Sequence, residues 1–239
     1  MRTIVVILYF IFVMIVSLPL YLLVFLIGKK NPMKMHKISQ RIVSHFLKMI
    51  LFLSGAKVTV KGLENIPANE AVLYVANHRS YFDILLGYTT VPTPTSFVAK
   101  KEMLHFPCVN HWMKFLSCLF LDRDNVREGL KTILQGIEQI KSGYSVFIMP
   151  EGTRNHENKL LPFHEGSFKL AQKSGCAIIP VAISHTDDLW ENHFPWIRSA
   201  NVSITYGKAI YMKELEKEEQ KFIGAQIQKI IAEMLKEKE

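Results

Sequence analysis

One segment sets the architecture of this chain: Val72-Leu73-Tyr74-Val75-Ala76-Asn77-His78-Arg79-Ser80-Tyr81-Phe82-Asp83. Its first five residues are apolar or aromatic, which predicts a short strand that is buried on both faces. The polar residues that follow predict a turn, and Ser80 is a favourable N-cap for a helix that continues beyond Asp83. A strand that leads through a turn into a helix is the repeating unit of α/β domains.

Other short apolar runs on either side of this segment also end in turn residues. They are Lys57–Val60, Ser96–Ala99, Cys118–Leu121, Ser145–Met149, Ala177–Ile183 and Val202–Tyr206. Helical patterns lie between most of them. Apolar residues recur on one side of Val126–Lys141 and of the last stretch from Ile223 to Met234, and a shorter helical stretch, Phe168–Ser174, ends at Gly175. We therefore expect an α/β domain with a mostly parallel central sheet flanked by helices, and chemistry at the carboxyl ends of its strands.

The N-terminal region is strongly apolar, because no charged side chain occurs from Ile4 to Gly28. At about 1.5 Å per residue, this segment can cross a bilayer core of about 30 Å as a helix. It is longer than the roughly 7–15 apolar residues of a signal peptide, and no small-residue cleavage site follows it. We therefore expect residues 1–28 to be a retained membrane-anchoring helix. Pro19 leaves open a kinked hairpin that only dips into the membrane.

The net charge of +8 is concentrated next to this apolar segment. Residues 1–63 hold nine of the 29 basic residues and none of the 21 acidic ones. This pattern fits a juxtamembrane segment on anionic lipid, whereas a nucleic-acid-binding protein would spread basic residues over a folded face. By the positive-inside rule the folded domain should face the cytoplasm. The scattered Cys108, Cys118 and Cys176 then read as reduced thiols.

Residues 29–56 contain a second apolar stretch, from Ile42 to Leu53, which polar residues interrupt. It is too short and too polar to span a membrane easily, and Gly55 after it is a plausible helix C-cap. One interpretation is an amphipathic helix in the membrane interface. The alternative is a core helix of the folded domain.

His78 is the first candidate catalytic residue, because a histidine in the turn after a buried strand is well placed as a general base. Asp83 lies five residues further on. In a continuous helix the two side chains would point about 140° apart, so they meet only if His78 lies in the turn and Asp83 in the first helical turn. The spacing Ser80-x-x-Asp83 also matches a capping box, so Asp83 has a purely structural alternative.

Two arginines follow other predicted strands: Asp122-Arg123 after Cys118–Leu121, and Pro150-Glu151-Gly152-Thr153-Arg154 after Ser145–Met149. The guanidinium fork matches phosphate oxygens, and a neighbouring glycine lets the backbone approach a ligand closely. The alternative is that either arginine pairs with a nearby carboxylate such as Asp122, Asp124 or Glu151. The other histidines show no metal-ligand spacing, so we expect no metal site.

Taken together, these segments resemble the glycerolipid acyltransferase family, which includes the lysophosphatidic acid acyltransferases. The resemblance extends from Asn77 to Ile183, with Phe163-x2-Gly166-x3-Leu170-Ala171 also similar. Its four blocks, in the order of the family, are Asn77-His78-x4-Asp83, Phe120-Leu121-Asp122-Arg123, Phe147-Ile148-Met149-Pro150-Glu151-Gly152-Thr153-Arg154 and Ile179-Pro180-Val181-Ala182-Ile183. It implies that residues 57–239 are the acyltransferase catalytic domain.

The resemblance also implies roles for individual residues. His78 would deprotonate the acceptor hydroxyl, and Asp83 would orient and charge-stabilise His78. The hydroxyl would attack an acyl thioester, either acyl-CoA or acyl carrier protein, with no further cofactor and no covalent enzyme intermediate. The acceptor site would be formed by Arg123, Glu151, Gly152, Thr153 and Arg154, with the two arginines on the phosphate, and it would be supported by Asn77, Ser80 and Pro180.

The expected reaction is acylation of the free hydroxyl of 1-acyl-glycerol-3-phosphate to phosphatidic acid, in phospholipid biosynthesis. Glycerol-3-phosphate, another lysophospholipid or an amino-acid lipid remains open as the acceptor. A non-catalytic membrane lipid-binding protein and a membrane hydrolase are alternatives from other classes. Three departures from the family pattern bear on the choice of acceptor and donor. Arg79 replaces a residue that is often uncharged, and Asn110 and Ser117 lie near positions where glycine is expected. His164-Glu165 falls where lysine is common.

Overall fold

The strands lie where the apolar runs predict them. The structure is a computed structural model that describes residues 1–155, 157 and 159–236. Every predicted run forms a strand, and the bounds differ by no more than one residue at either end. The strands are β1 Lys57–Lys61, β2 Leu73–Ala76, β3 Thr95–Lys100, β4 Leu119–Leu121, β5 Ser145–Ile148, β6 Ile178–Ser184 and β7 Asn201–Tyr206.

All of these strands join one sheet in the order β1-β7-β6-β2-β5-β3-β4. The β6–β7 pair is antiparallel and every other pair is parallel, which confirms the mostly parallel sheet. β2 is central, and its Val75 is opposite Ile148 of β5 and Pro180 of β6. The carboxyl ends of β2, β5 and β6 therefore meet at one edge, and the turns after them share one site.

Helices cover both faces of the sheet, as predicted. They are α1 Arg2–Lys30, α2 Pro32–Ser54, α3 Phe82–Thr90, α4 Val109–Phe115, α5 Val126–Lys141, α6 Lys169–Ser174, α7 Lys217–Lys221 and α8 Ile223–Lys236. Because successive strand residues point to opposite faces, Tyr74 packs in the cluster that α2 and α3 cover. Its neighbours Leu73 and Val75 pack in the cluster under α5, α6 and α8.

α1 and α2 form a helical hairpin. Asn31 joins them, and its side chain caps α2 by accepting a hydrogen bond from the Lys34 amide at 2.9 Å. Gly55 ends α2 in the left-handed conformation (φ 77°), which confirms it as the C-cap. α2 buries Ile50 and Leu51 in the core and leaves other apolar side chains such as Phe52 exposed. One face of α2 therefore packs on the core, and the position of its exposed face in the membrane interface stays a prediction.

α1 runs through Pro19 and, among the described residues, is the one helix long and apolar enough to cross a membrane. Of the 18 consecutive residues of α1 that are most apolar, only 17% are buried inside the protein. A strip of small and β-branched residues, including Val13 and Ser17, faces the rest of the protein. The outward residues are large and apolar, which is the surface expected of a helix in lipid.

Candidate active site

His78 lies in the turn after β2, and Asp83 lies in the first turn of α3. The Nδ1 atom of His78 is 2.8 Å from Oδ2 of Asp83, so the two side chains meet in the arrangement that the spacing required. An ionised carboxylate only accepts hydrogen bonds, so Nδ1 carries the proton and Nε2 presents its lone pair. Among the described residues Nε2 has no partner, which leaves it open to a substrate hydroxyl.

Asp83 is fully buried and accepts several hydrogen bonds besides that of His78. Its Oδ2 also accepts from the backbone amides of Arg79 (2.7 Å) and Ser80 (2.8 Å), and its Oδ1 accepts from the Thr186 hydroxyl at 2.5 Å. A buried carboxylate with this many donors is held in one rotamer, and its hydrogen-bonding capacity is satisfied. The Asp83 carboxylate therefore holds the imidazole ring of His78 in one orientation.

The structural alternative for Asp83 is also present in the same contacts. Its hydrogen bond with the Ser80 amide is one of the two that a capping box would form, although α3 begins one residue later than predicted, with Tyr81 and not Ser80 at the N-cap. The other half differs, because the Ser80 hydroxyl accepts from the Phe82 amide at 2.9 Å rather than from that of Asp83. The Asp83 carboxylate thus both closes the turn and binds the His78 ring. A structural role and an orienting role for Asp83 are therefore compatible.

Asn77 joins the ends of two strands. Its amide nitrogen donates to the Ile183 carbonyl and its amide oxygen accepts from the Ile183 amide, both at 2.8 Å. This pair ties β2 to β6 just before His78. Pro180 lies deeper in β6, in the alternation that faces α8, so it supports the sheet and is not beside His78.

Glu151 is buried and holds the main chain around the site. Its Oε1 accepts from the His78 amide at 2.8 Å, and its Oε2 accepts from the Asn155 side chain (3.0 Å) and the Leu161 amide (2.9 Å). Glu151 therefore shapes the candidate site through the backbone of His78. Gly152 next to it has φ 73°, and an added Cβ would lie 3.3 Å from the ring of His164, so this position favours glycine.

Arg154 lies beside the turn that carries His78. Its guanidinium carbon is 3.8 Å from the centre of the Tyr81 ring, and its Nη1 is 3.4 Å from Oε1 of Glu191. Glu191 also accepts from the Ser80 hydroxyl (2.7 Å) and the Tyr81 amide (2.9 Å). Arg154 thus does pair with a carboxylate, but with a different one from those that the sequence suggested. Within the described part of the chain its other donors have no partner.

The structure does not bring Arg123 to the same place. It follows β4 at the edge of the sheet, three strand positions from β2, which corresponds to about 14 Å. Its side chain is exposed, and the neighbouring Asp122 pairs with Lys101 at 2.8 Å. Contact between Arg123 and the acceptor phosphate stays a prediction. Thr153 is also exposed, and its role is likewise untested.

Sequence reasoning missed the segment after β6, which contributes three side chains to the site: Thr186, Asp187 and Glu191. Besides the contacts above, Asp187 Oδ2 accepts from Nε and Nη2 of Arg79 at 3.0 and 2.8 Å. Arg79, which departs from the family pattern, therefore has its own buried acidic partner. Its position could have revealed it, because the segment follows β6, and the carboxyl end of β6 lies next to that of β2.

The thiols and the other titratable groups offer no competing centre. Within residues 1–155, 157 and 159–236, no group of three or more His, Cys, Asp or Glu side chains could hold a metal ion. Cys108, Cys118 and Cys176 are free thiols. Burial raises the pKa of Cys118 and of Cys176, so both stay protonated and unreactive at neutral pH.

A mostly parallel sheet with a histidine–aspartate pair at its carboxyl edge agrees with the resemblance in the motifs. Residues 57–184 match the family described as Acyltransferase, and the chain belongs to that family. The resemblance seen in the motifs is thereby confirmed.

Two relatives and one solved structure place the chain within this family. It is 33% identical over 144 residues to a 1-acyl-sn-glycerol-3-phosphate acyltransferase of Borreliella burgdorferi, covering 60% of this chain and 58% of that protein. It is 34% identical over 167 residues to the Saccharomyces cerevisiae protein of that name, covering 69% and 53%. The chain thus spans little more than half the length of these curated relatives. The crystal structure of PlsC from Thermotoga maritima, a 1-acyl-sn-glycerophosphate acyltransferase, superposes with a TM-score of 0.79 at 26% identity, covering 99% of this chain and 97% of that one.

Proposed function

We propose that this protein transfers a fatty acyl group from an acyl thioester to the free hydroxyl of 1-acyl-glycerol-3-phosphate, which gives phosphatidic acid. The observation that carries the proposal is the hydrogen bond between His78 and Asp83, which leaves Nε2 of the histidine open. The names of the relatives support the acceptor, since both act on 1-acyl-sn-glycerol-3-phosphate. A protein that only binds lipid has no need of such a base.

In the proposed mechanism, Nε2 of His78 takes the proton from the acceptor hydroxyl as its oxygen attacks the thioester carbonyl. The buried Asp83 carboxylate stabilises the imidazolium that forms. Collapse of the tetrahedral intermediate breaks the carbon–sulfur bond, and the departing thiolate takes the proton from the imidazolium. The reaction balances without a covalent enzyme intermediate, and a positioned base of this kind contributes roughly 10²–10⁴-fold to the rate.

The acceptor phosphate is assigned to Arg154 in this proposal. The Tyr81 ring and the Glu191 carboxylate hold its guanidinium beside the catalytic turn. Charge-assisted hydrogen bonds from its remaining donors suit a phosphate monoester better than a zwitterionic or amino-acid headgroup. Lysophosphatidic acid and glycerol-3-phosphate both carry that group, and the relatives' names favour the former. Either acyl-CoA or acyl carrier protein serves as donor.

We further propose that the α1–α2 hairpin dips into one leaflet, with the catalytic domain on its cytoplasmic side. α1 is attached to the domain along its length: Ile197 donates to the Thr3 hydroxyl, Trp112 donates to Ser17 at 3.1 Å, and Tyr21 donates to the Cys108 carbonyl at 2.9 Å. From Thr3 to Tyr21 the helix advances about 27 Å, so a crossing helix would carry the flank of the domain through the bilayer. The basic residues around Lys29 to Lys61 support the cytoplasmic side.

Fractionation tests the membrane part of the proposal. The protein should be recovered with membranes and should resist high salt, because salt weakens the Lys and Arg contacts but not the buried apolar face. Release of the intact protein by salt alone would contradict insertion of the hairpin.

A product assay tests the reaction. Purified protein is incubated with labelled acyl-CoA or acyl carrier protein, with and without lysophosphatidic acid, and the lipids are separated by thin-layer chromatography. Labelled phosphatidic acid that depends on the acceptor and disappears in His78→Ala supports the proposal. Labelled free fatty acid would indicate a hydrolase, and binding of lysophosphatidic acid without turnover of either donor would indicate a binding protein.

A further inference from the structure

Three exposed aromatic side chains and the half-buried Trp190 lie in two short segments beside the active site. Trp190 lies 5.9 Å from Tyr81 and 5.7 Å from Phe194 between ring centres, and Trp196 follows two residues later. Phe194 is 73% exposed, Trp196 57% and Tyr81 50%. We call Tyr81, Trp190, Phe194 and Trp196 the aromatic rim. Grouped exposed aromatics of this size mark an interaction surface rather than ordinary surface scatter.

One member of the aromatic rim, Tyr81, connects it to the site. Tyr81 belongs to the turn between His78 and Asp83, and its ring carries Arg154 at 3.8 Å. Glu191, next to Trp190, binds the Tyr81 amide at 2.9 Å. A surface that contacts the aromatic rim at Tyr81 therefore lies next to Arg154.

The aromatic rim is continuous with the apolar helix α1. The Ile197 amide, one residue after Trp196, donates to the hydroxyl of Thr3 at 2.8 Å, and the exposed apolar face of α1 begins at Ile4. Two arginines lie at this junction: Arg198 is exposed, and Arg2 lies beside Gly55 and Ser199. Neither pairs with a carboxylate in the described portion of the chain. Aromatic rings next to arginines at the end of an apolar helix are typical of protein segments that lie at a membrane interface.

We infer that the aromatic rim is a second membrane contact, which inserts at the boundary between headgroups and acyl chains of a bilayer that contains anionic phospholipid. The inference rests on the proposed attachment of α1 to the membrane, and it places the mouth of the site at the bilayer surface. An acceptor can then present its phosphate to Arg154 while its acyl chain stays in the leaflet. A protein such as an acyl carrier protein would also accept exposed rings, but it would not require their continuity with a lipid-facing helix.

Tryptophan fluorescence tests the insertion directly. The chain has three tryptophans, and Trp112 is buried against α1. The full-length protein is reconstituted in phosphatidylcholine–phosphatidylglycerol vesicles, with and without phospholipid brominated near the top of the acyl chain. We expect bromine to quench the wild type clearly more than Trp196→Phe, and the difference is the contribution of Trp196. Equal quenching of the two proteins would overturn the inference, although α1 could still be inserted, which fractionation reports separately.

A kinetic comparison supplies the functional readout. Phe194→Ser and Trp196→Ser should lower activity severalfold on long-chain lysophosphatidic acid in vesicles, through a higher interfacial KM. Activity on a short-chain, monomeric lysophosphatidic acid should stay unchanged, which also shows that the proposed function is intact. Phe222→Ser is the matched control, because Phe222 is 62% exposed but lies between α7 and α8, away from α1. Equal losses on both substrates, or losses only with acyl carrier protein as donor, would overturn the inference.

Discussion

The Nη1 nitrogen of Arg154 lies 3.4 Å from the Oε1 oxygen of Glu191, and the same carboxylate binds the turn that holds His78. The distance is long for a charge-assisted hydrogen bond, so this contact orients the guanidinium without using up its donors. The group that would bind the phosphate and the base that would activate the hydroxyl are thereby joined through one side chain. Their separation is set before any substrate arrives.

Removal of Arg154 should harm acceptors that carry a phosphate. A charge-assisted hydrogen bond contributes roughly 1.5–3 kcal/mol, so Arg154→Ala should lose about 10–150-fold in kcat/KM on lysophosphatidic acid. Arg154→Lys should recover only part, because it keeps the charge and loses the fork. Monoacylglycerol, which lacks the phosphate, is the comparison substrate and should be much less affected. Equal losses on both would assign Arg154 to the scaffold, and Arg123→Ala measured in parallel reports whether Arg123 contributes.

Glu191 should act through Arg154, and a double-mutant cycle measures this. If Glu191 orients the arginine, Glu191→Ala should cost less in kcat/KM when Arg154 is already alanine, with a coupling of roughly 0.5–3 kcal/mol. Glu191→Gln keeps the shape and should restore part of the loss. Asp188→Asn is the matched control, because Asp188 lies in the same segment but pairs with His185. Additive losses would mean that the two residues act independently.

Asp83→Asn should separate charge from capping. The asparagine oxygen can replace Oδ2 towards the three donors of the turn, and its amide can donate to the Thr186 hydroxyl, so stability should change by only a few tenths of a kcal/mol. The imidazolium of His78 would lose its counter-charge, so kcat should fall by at least about 10²-fold, as it should in His78→Ala. Thermal melting and turnover are measured together. Normal turnover in Asp83→Asn would leave only the structural role.

His36 predicts an acid-sensitive stability. It is buried in α2, where its ring contacts Gln40, Ser117 and Tyr144. Burial lowers its pKa from 6.5 to about 4. Because the unfolded chain binds this proton first, stability should be full above pH 6.5 and should fall as the pH drops towards 4, by roughly 3 kcal/mol in total.

Melting temperatures of the purified protein across this pH window check that expectation. His36→Gln should flatten the dependence, whereas His45→Gln on the exposed face of the same helix should leave it unchanged. An identical acid profile in His36→Gln and the wild type would assign the sensitivity to other groups.

Local patterns were sufficient for the sheet and for the contact between His78 and Asp83. Buried strands such as β2 show as apolar runs, and the five-residue spacing of His78 and Asp83 permits contact only across a turn. α2 was harder, because the polar residues from Pro32 onwards hide ten residues of helix that tertiary packing stabilises. Thr186 and Glu191 could not be found by spacing, since they meet Asp83 and Ser80 across 103 and 111 residues of chain.

The attachment of α1 along its length decides how this protein can be handled. A tether can be cut or exchanged, but a cut at Asn31 would remove the acceptor of the Trp112 indole and uncover the core around Ile50, which Val6 completes. The hairpin is thus folded as part of the enzyme, and removing α1 would expose apolar core. A water-soluble version is better obtained by substituting polar residues for the exposed apolar side chains of α1 between Leu8 and Leu22. The buried strip that includes Val13 and Ser17 would be left unchanged.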